Sequence, residues 1–169
     1  IDKAVFPGLQ GGPHNHTTAG IAVALKEAAT DDFKAYAHQV VKNARALAGH
    51  LTEVGFNLVS GGTDNHLILM DVTPLGLTGK QYAKALDRAG IECNSNTVPH
   101  DPRKPFDPSG LRLGAAAITS RGMKEADMAR IGEWFRRVAK AASDDAALDA
   151  ILAEIREFCS GFPCPGIRL

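Results

Sequence analysis

From Phe33 to Val54 the apolar residues Phe33, Ala37, Val40, Ala44, Leu47, Leu51 and Val54 recur at alternating intervals of four and three, and at Gly55 that rhythm stops. Such spacing lays one apolar stripe along a helix and predicts a long amphipathic helix from Asp32 to Val54. Asp31 or Asp32 is suited to cap its start and Gly55 its end. Beyond Gly55 the apolar runs are short. Phe56 to Val59, His66 to Val72 and Ile91 to Asn94 are bounded by turn residues and read as strands. Between them Thr78 is followed three residues later by Gln81, a capping box that opens a helix running to Ala89. Leu111 to Gly114 supplies one more strand. Two helices then close the chain, one marked by Met128, Ile131, Phe135, Val138 and Ala142, the other by Leu148, Ile151, Leu152, Ile155 and Cys159. This order predicts an α+β fold, a small mixed or antiparallel sheet covered by helices.

Composition narrows the partners. Lysine plus arginine equal aspartate plus glutamate at 19 each, which argues against nucleic acid or an acidic membrane surface as the main partner. The three cysteines, Cys93, Cys159 and Cys164, lack Cys-x-x-Cys spacing and an even count. Reduced thiols in a cytoplasmic setting fit better than a disulfide frame or a zinc site. No apolar run reaches membrane-spanning length and no signal peptide is visible. At 169 residues the chain holds one good core, or one core and a fragment of another. It opens on Ile1 and carries its most distinctive loop close to that start, so truncation of a longer protein is an expectation.

That loop, Phe6 to His16, packs three glycines, two prolines and two histidines into eleven residues. Glycines reach positive φ and drop the Cβ, letting consecutive N–H groups converge on one anion, while Pro7 and Pro13 fix the entry and exit directions. A helix over Thr17 to Ala29 follows directly, which favours a phosphate guest; a simple turn explains the same residues without a ligand. His14 and His16 form a His-x-His pair, but no Cys or carboxylate cluster completes a metal site, and loop hydrogen bonding is the favoured reading.

Arg112 stands in Ser109-Gly110-Leu111-Arg112-Leu113-Gly114. Strand alternation turns Leu111 and Leu113 to the core and Arg112 to the other face, with Gly110 and Gly114 leaving space beside it. A guanidinium there is able to grip a carboxylate in bidentate fashion; an ordinary surface arginine has the same pattern. Gly61 to His66 is explained by turn chemistry, and Asn94-Ser95-Asn96-Thr97 reads by itself as a turn. Asn94 to Gly110, with four prolines, is long enough for a functional loop.

Taken in order, Phe6 to His16, Ala22 to Ala28, Ser60 to His66, Leu77-Thr78-Gly79-Lys80 and Ser109 to Gly114 closely resemble serine hydroxymethyltransferase across nearly the whole chain. The resemblance implies the end of that enzyme's large pyridoxal-phosphate domain at residues 1–30 and its C-terminal small domain at 31–169, the small domain of a fold-type I pyridoxal-phosphate enzyme. It implies that Gly11 and Gly12 give backbone to the phosphate of pyridoxal 5'-phosphate in a neighbouring subunit's site. Arg112 would bind the carboxylate of glycine or serine; Asn96 and the backbone around Lys104, Pro105 and Phe106 would line the tetrahydrofolate pocket. The expected parent is a cytoplasmic homodimer at least, interconverting serine and glycine with transfer of a one-carbon unit. The Schiff-base lysine would lie upstream of Ile1, so the isolated chain is expected to be inactive. One departure lies inside the match: Ala115-Ala116 stands where the family usually has Thr-Pro. Two other readings stand beside this one, another fold-type I enzyme such as an aminotransferase, and a naturally short noncatalytic interaction protein.

Overall fold

The computed structural model describes residues 1–166, which fall into two compact units, Ile1–Ala35 and a second beginning at Tyr36. In the first unit an irregular helical turn, Ala4–Leu9, is interrupted where Phe6 and Pro7 leave helical geometry. An extended stretch through Gly11 and Gly12 leads to helix α1, Asn15–Ala28. Neither element has a buried residue, and Ile21, Val23 and Leu25 are all more than half exposed, at 55%, 57% and 66%.

Helix α2, Asp31–Glu53, confirms the long periodic helix but not its cap. The Thr30 hydroxyl oxygen accepts the Phe33 N–H at 3.3 Å, which puts Asp31 and Asp32 inside the first turn, where their charges favour the helix dipole. At the other end Gly55 takes φ +96°, and the Phe56 N–H returns to the Leu51 carbonyl at 2.9 Å, closing the helix as expected. The stripe is buried from Val40 onward through Ala44, Leu47 and Leu51, whereas Phe33 is 45% exposed.

The second unit is built on a four-stranded antiparallel sheet in the order β1 (Asn57–Leu58), β2 (Leu67–Asp71), β4 (Gly110–Gly114), β3 (Asn94–Asn96). Leu58, Ile68, Met70, Leu111 and Leu113 of the sheet join one core with Leu47 and Leu51 of α2 and with α3 (Gly79–Arg88), α5 (Glu125–Lys140) and α6 (Asp145–Ser160). Phe56, Tyr82 and Phe135 meet at its centre with ring centroids 6.0 to 6.4 Å apart. The Tyr82 hydroxyl, buried and held well above its ordinary pKa by desolvation, donates to the Phe135 carbonyl at 2.7 Å. The capping box on α3 is present in both directions: Thr78 Oγ1 accepts the Gln81 N–H, and Gln81 Oε1 accepts the Thr78 N–H.

The strand expected over Ile91 to Asn94 begins instead at Asn94. Gly90 at φ +84° and the bond from the Ile91 N–H to the Leu86 carbonyl use the preceding residues to close α3, so pairing starts only afterwards. Asn94-Ser95-Asn96, expected to turn, is therefore strand. A short helix, α4 (Ala116–Ser120), follows β4. It is joined to α2 by Asn43, fully buried, whose amide donates to Thr119 Oγ1 at 2.9 Å and to the Met123 carbonyl at 2.8 Å.

Candidate functional site

Alternation along β4 is as the sequence predicts: Leu111 and Leu113 are buried and Arg112 is exposed. The helices pack their apolar residues against the first face, leaving Arg112 on the other. Antiparallel pairing sets Asn94 of β3 directly opposite Arg112 on one side and Leu69 of β2 on the other; Asn96 pairs with Gly110 and so lies diagonally from the arginine on the same face. Among the described residues Arg112 forms no ion pair and no side-chain hydrogen bond. Asp71, the carboxylate of β2 on that face, is occupied by the Thr73 N–H at 2.9 Å and hydroxyl at 2.6 Å. The five guanidinium donors are thus free for an incoming acceptor. A shallow recess of about 300 Å3 lies beside them, lined by Leu67, Glu92, Cys93, Asn94, Arg112 and Gly114 among others. Burial, reinforced by Glu92, pushes the Cys93 thiol up to about 12, so it stays protonated and is no nucleophile at neutral pH.

The glycines flanking Arg112 differ in their work. A Cβ on Gly110 would stand 2.6 Å from the Asn96 carbonyl oxygen and 2.7 Å from Val98 Cγ1, so the space expected there is filled by β3 and the loop after it. A Cβ on Gly114 would meet its nearest neighbour, the His66 carbonyl oxygen, at 3.3 Å.

The proline-rich loop leaves β3 after Asn96 and returns to β4, the two strands that carry Asn96 and Arg112. Its organiser is Asp101, whose carboxylate accepts the N–H groups of Val98, Arg103 and Ser109 and the Ser109 hydroxyl at 2.7 to 3.2 Å. Partial desolvation pushes Asp101 up, but these four donors outweigh it and hold the carboxyl well below the usual range. Asp107 is lowered by the Thr78 hydroxyl and by Arg103, which ties the loop to the start of α3. So braced, the loop leaves Lys104, Pro105 and Phe106 in solvent, Phe106 at 86% exposure. Asn96 is half-buried and its amide donates one N–H to the Thr97 carbonyl at 2.8 Å, leaving its carbonyl oxygen and second N–H free.

In the first unit Gly11 and Gly12 are exposed and neither sits at positive φ, contrary to the expectation from the sequence. Nothing lies within 4 Å of a Cβ built on either. Among the described residues their amides have no hydrogen-bond acceptor. Nothing among the described residues therefore requires glycine at these two positions, and both N–H groups are open to an external anion. His14 and His16 meet edge to face, 6.0 Å between centroids, and Thr18 Oγ1 donates to the His14 backbone carbonyl at 3.3 Å at the start of α1.

Residues 1–135 match the family described as serine hydroxymethyltransferase. The chain belongs to that family. It is 63% identical over 169 residues to a serine hydroxymethyltransferase of Sorangium cellulosum, covering all of this chain and 40% of that protein. It is 60% identical to those of Desulfotalea psychrophila and Acidothermus cellulolyticus, covering 99% of this chain and 40% of each relative. The chain thus spans about 40% of the length of the curated relatives it matches. The family assignment favours the hydroxymethyltransferase reading over the aminotransferase one. Ala115 is buried at φ −95°, ψ −3°, donates its N–H to the His66 carbonyl and accepts the Thr119 hydroxyl at 2.7 Å.

Sequence reasoning passed over Asn94 and Asp101. Asn94 reads in the sequence as no more than the last residue of a strand, and its place opposite Arg112 comes from pairing across the sheet. Asp101 had only the weak cue of an Asp beside prolines in a long loop.

Proposed function

We propose that this chain supplies three recognition surfaces of a serine hydroxymethyltransferase, an enzyme that interconverts serine and glycine while a one-carbon unit passes to or from tetrahydrofolate. Residues 1–30 are the end of the large cofactor domain and 31–169 the C-terminal small domain. The observation that carries the proposal is Arg112, exposed on the open face of the sheet with no acidic partner among the described residues. A guanidinium so placed binds the carboxylate of glycine or serine through two parallel hydrogen bonds, fixing the orientation of the Cα substituents.

Gly11 and Gly12 suit a phosphate: their amides are unpartnered and no Cβ obstructs approach. They hold the phosphate of pyridoxal 5'-phosphate in the neighbouring subunit's site of a cytoplasmic homodimer. When bound, the cofactor supplies an electron sink for negative charge developing at Cα. Asn96 presents its amide to the pterin ring, and the backbone of Lys104, Pro105 and Phe106 walls the folate pocket, held in shape by Asp101. Arg112 orients the substrate and transfers no proton. No lysine here has the sequence setting of the cofactor's anchoring residue, so the 169-residue chain alone is inactive.

The test is serine–glycine exchange with pyridoxal phosphate and tetrahydrofolate supplied. The chain alone should show no turnover; the same chain joined to the upstream portion of the Sorangium cellulosum relative should show it. Turnover by the chain alone overturns the inactivity. A folded fusion that binds cofactor but does not exchange overturns the role.

A further inference from the structure

Glu92 precedes Asn94 by two residues, is exposed, and lines the same recess as Arg112 and Gly114. Asn94 pairs directly with Arg112. Glu92, two residues before that pair, shares the recess with the arginine. Among the described residues no ion pair joins the two, so Glu92 does not occupy the guanidinium donors. The recess, about 300 Å3, thus holds one cation and one anion that leave each other open.

We infer that Glu92 is a specificity-determining residue that turns the Arg112 recess against substrates carrying a second carboxylate. This rests on the carboxylate role proposed for Arg112. A monocarboxylate amino acid places its single negative group on Arg112. A dicarboxylate of three or four carbons, bound the same way in so small a recess, brings its second group toward Glu92. Two like charges about 6 Å apart in a solvent-exposed setting weaken binding about threefold, and added salt screens the effect.

The full chain, labelled with 15N, tests this by titration with acetate and with malonate, read at the Gly114 amide. In low salt Glu92→Gln should improve malonate affinity relative to acetate about threefold or more, with acetate itself changed little. Glu92→Asp, which keeps the charge, should keep the wild-type ratio, and high salt should shrink the difference between wild type and Glu92→Gln. An equal malonate-to-acetate ratio in wild type and Glu92→Gln overturns the inference. If Arg112→Ala binds acetate with unchanged affinity, the carboxylate role of Arg112 falls and takes the inference with it.

Discussion

Glu154 accepts Arg137 through both oxygens, at 2.5 and 2.7 Å, and the indole N–H of Trp134 at 3.4 Å. The Arg137 bonds are the main reason its pKa falls to about 2. A carboxyl lowered from an unfolded value of about 4.3 adds stability that is complete above that value and is lost as pH falls toward the folded one. The Glu154 side chain is 42% exposed, so screening keeps the contribution within about 1 kcal/mol. Urea unfolding followed at Trp134, the single tryptophan, should therefore show wild type more stable than Glu154→Gln at pH 6 and the gap about halved by pH 3. A gap that does not change with pH contradicts the assignment. Asp101 affords a second prediction. Asp101→Ala removes an acceptor shared by four donors, and trypsin should then cut after Arg103 markedly faster than in wild type, with the helices still intact by circular dichroism. Unchanged cleavage would mean that the loop is braced elsewhere. Of these residues Arg112 alone was legible beforehand, because strand alternation is a local signal; Asp101 and Asn94 acquire their roles from partners across a loop or a sheet.

At the scale of elements, two glycines make opposite forecasts. A Cβ on Gly79, the first residue of α3, would lie 2.0 Å from the Gly110 carbonyl oxygen, and the Gly79 N–H donates to the Pro108 carbonyl at 2.8 Å. Gly79→Ala must push the start of α3 off β4 and should cost about 3 kcal/mol. Gly49 lies exposed within α2 with nothing within 4 Å of a Cβ, and Gly49→Ala should stabilise by about 0.5 to 1 kcal/mol through helix propensity. Chemical denaturation measures both; equal effects would contradict the packing described for α3. The helices themselves were readable because stripes and caps are written within a few residues of one another: the α3 capping box and the Gly55 stop are both as expected. β3 was not, since Asn-Ser-Asn has no strand propensity and is extended because β4 pairs with it. Nor was the Gly79 approach, a contact between elements some thirty residues apart in sequence.

Across the whole molecule the two units differ in what sustains them. The second has a core running from Leu47 to Ile155, whereas the helices of the first bury no residue and hold Ile21, Val23 and Leu25 in solvent. Amide hydrogen exchange of the isolated chain should find α1 unprotected while α5 is protected by orders of magnitude. Comparable protection in both would contradict this picture. The central claim is that the open sheet face binds the substrate carboxylate through Arg112. Its most direct test is the glycine KM of the fusion described above, with and without Arg112→Ala. The account predicts a KM at least about 100-fold higher, equivalent to roughly 3 kcal/mol, with pyridoxal phosphate affinity little changed. An unchanged KM, or cofactor affinity lost in equal measure, would contradict it.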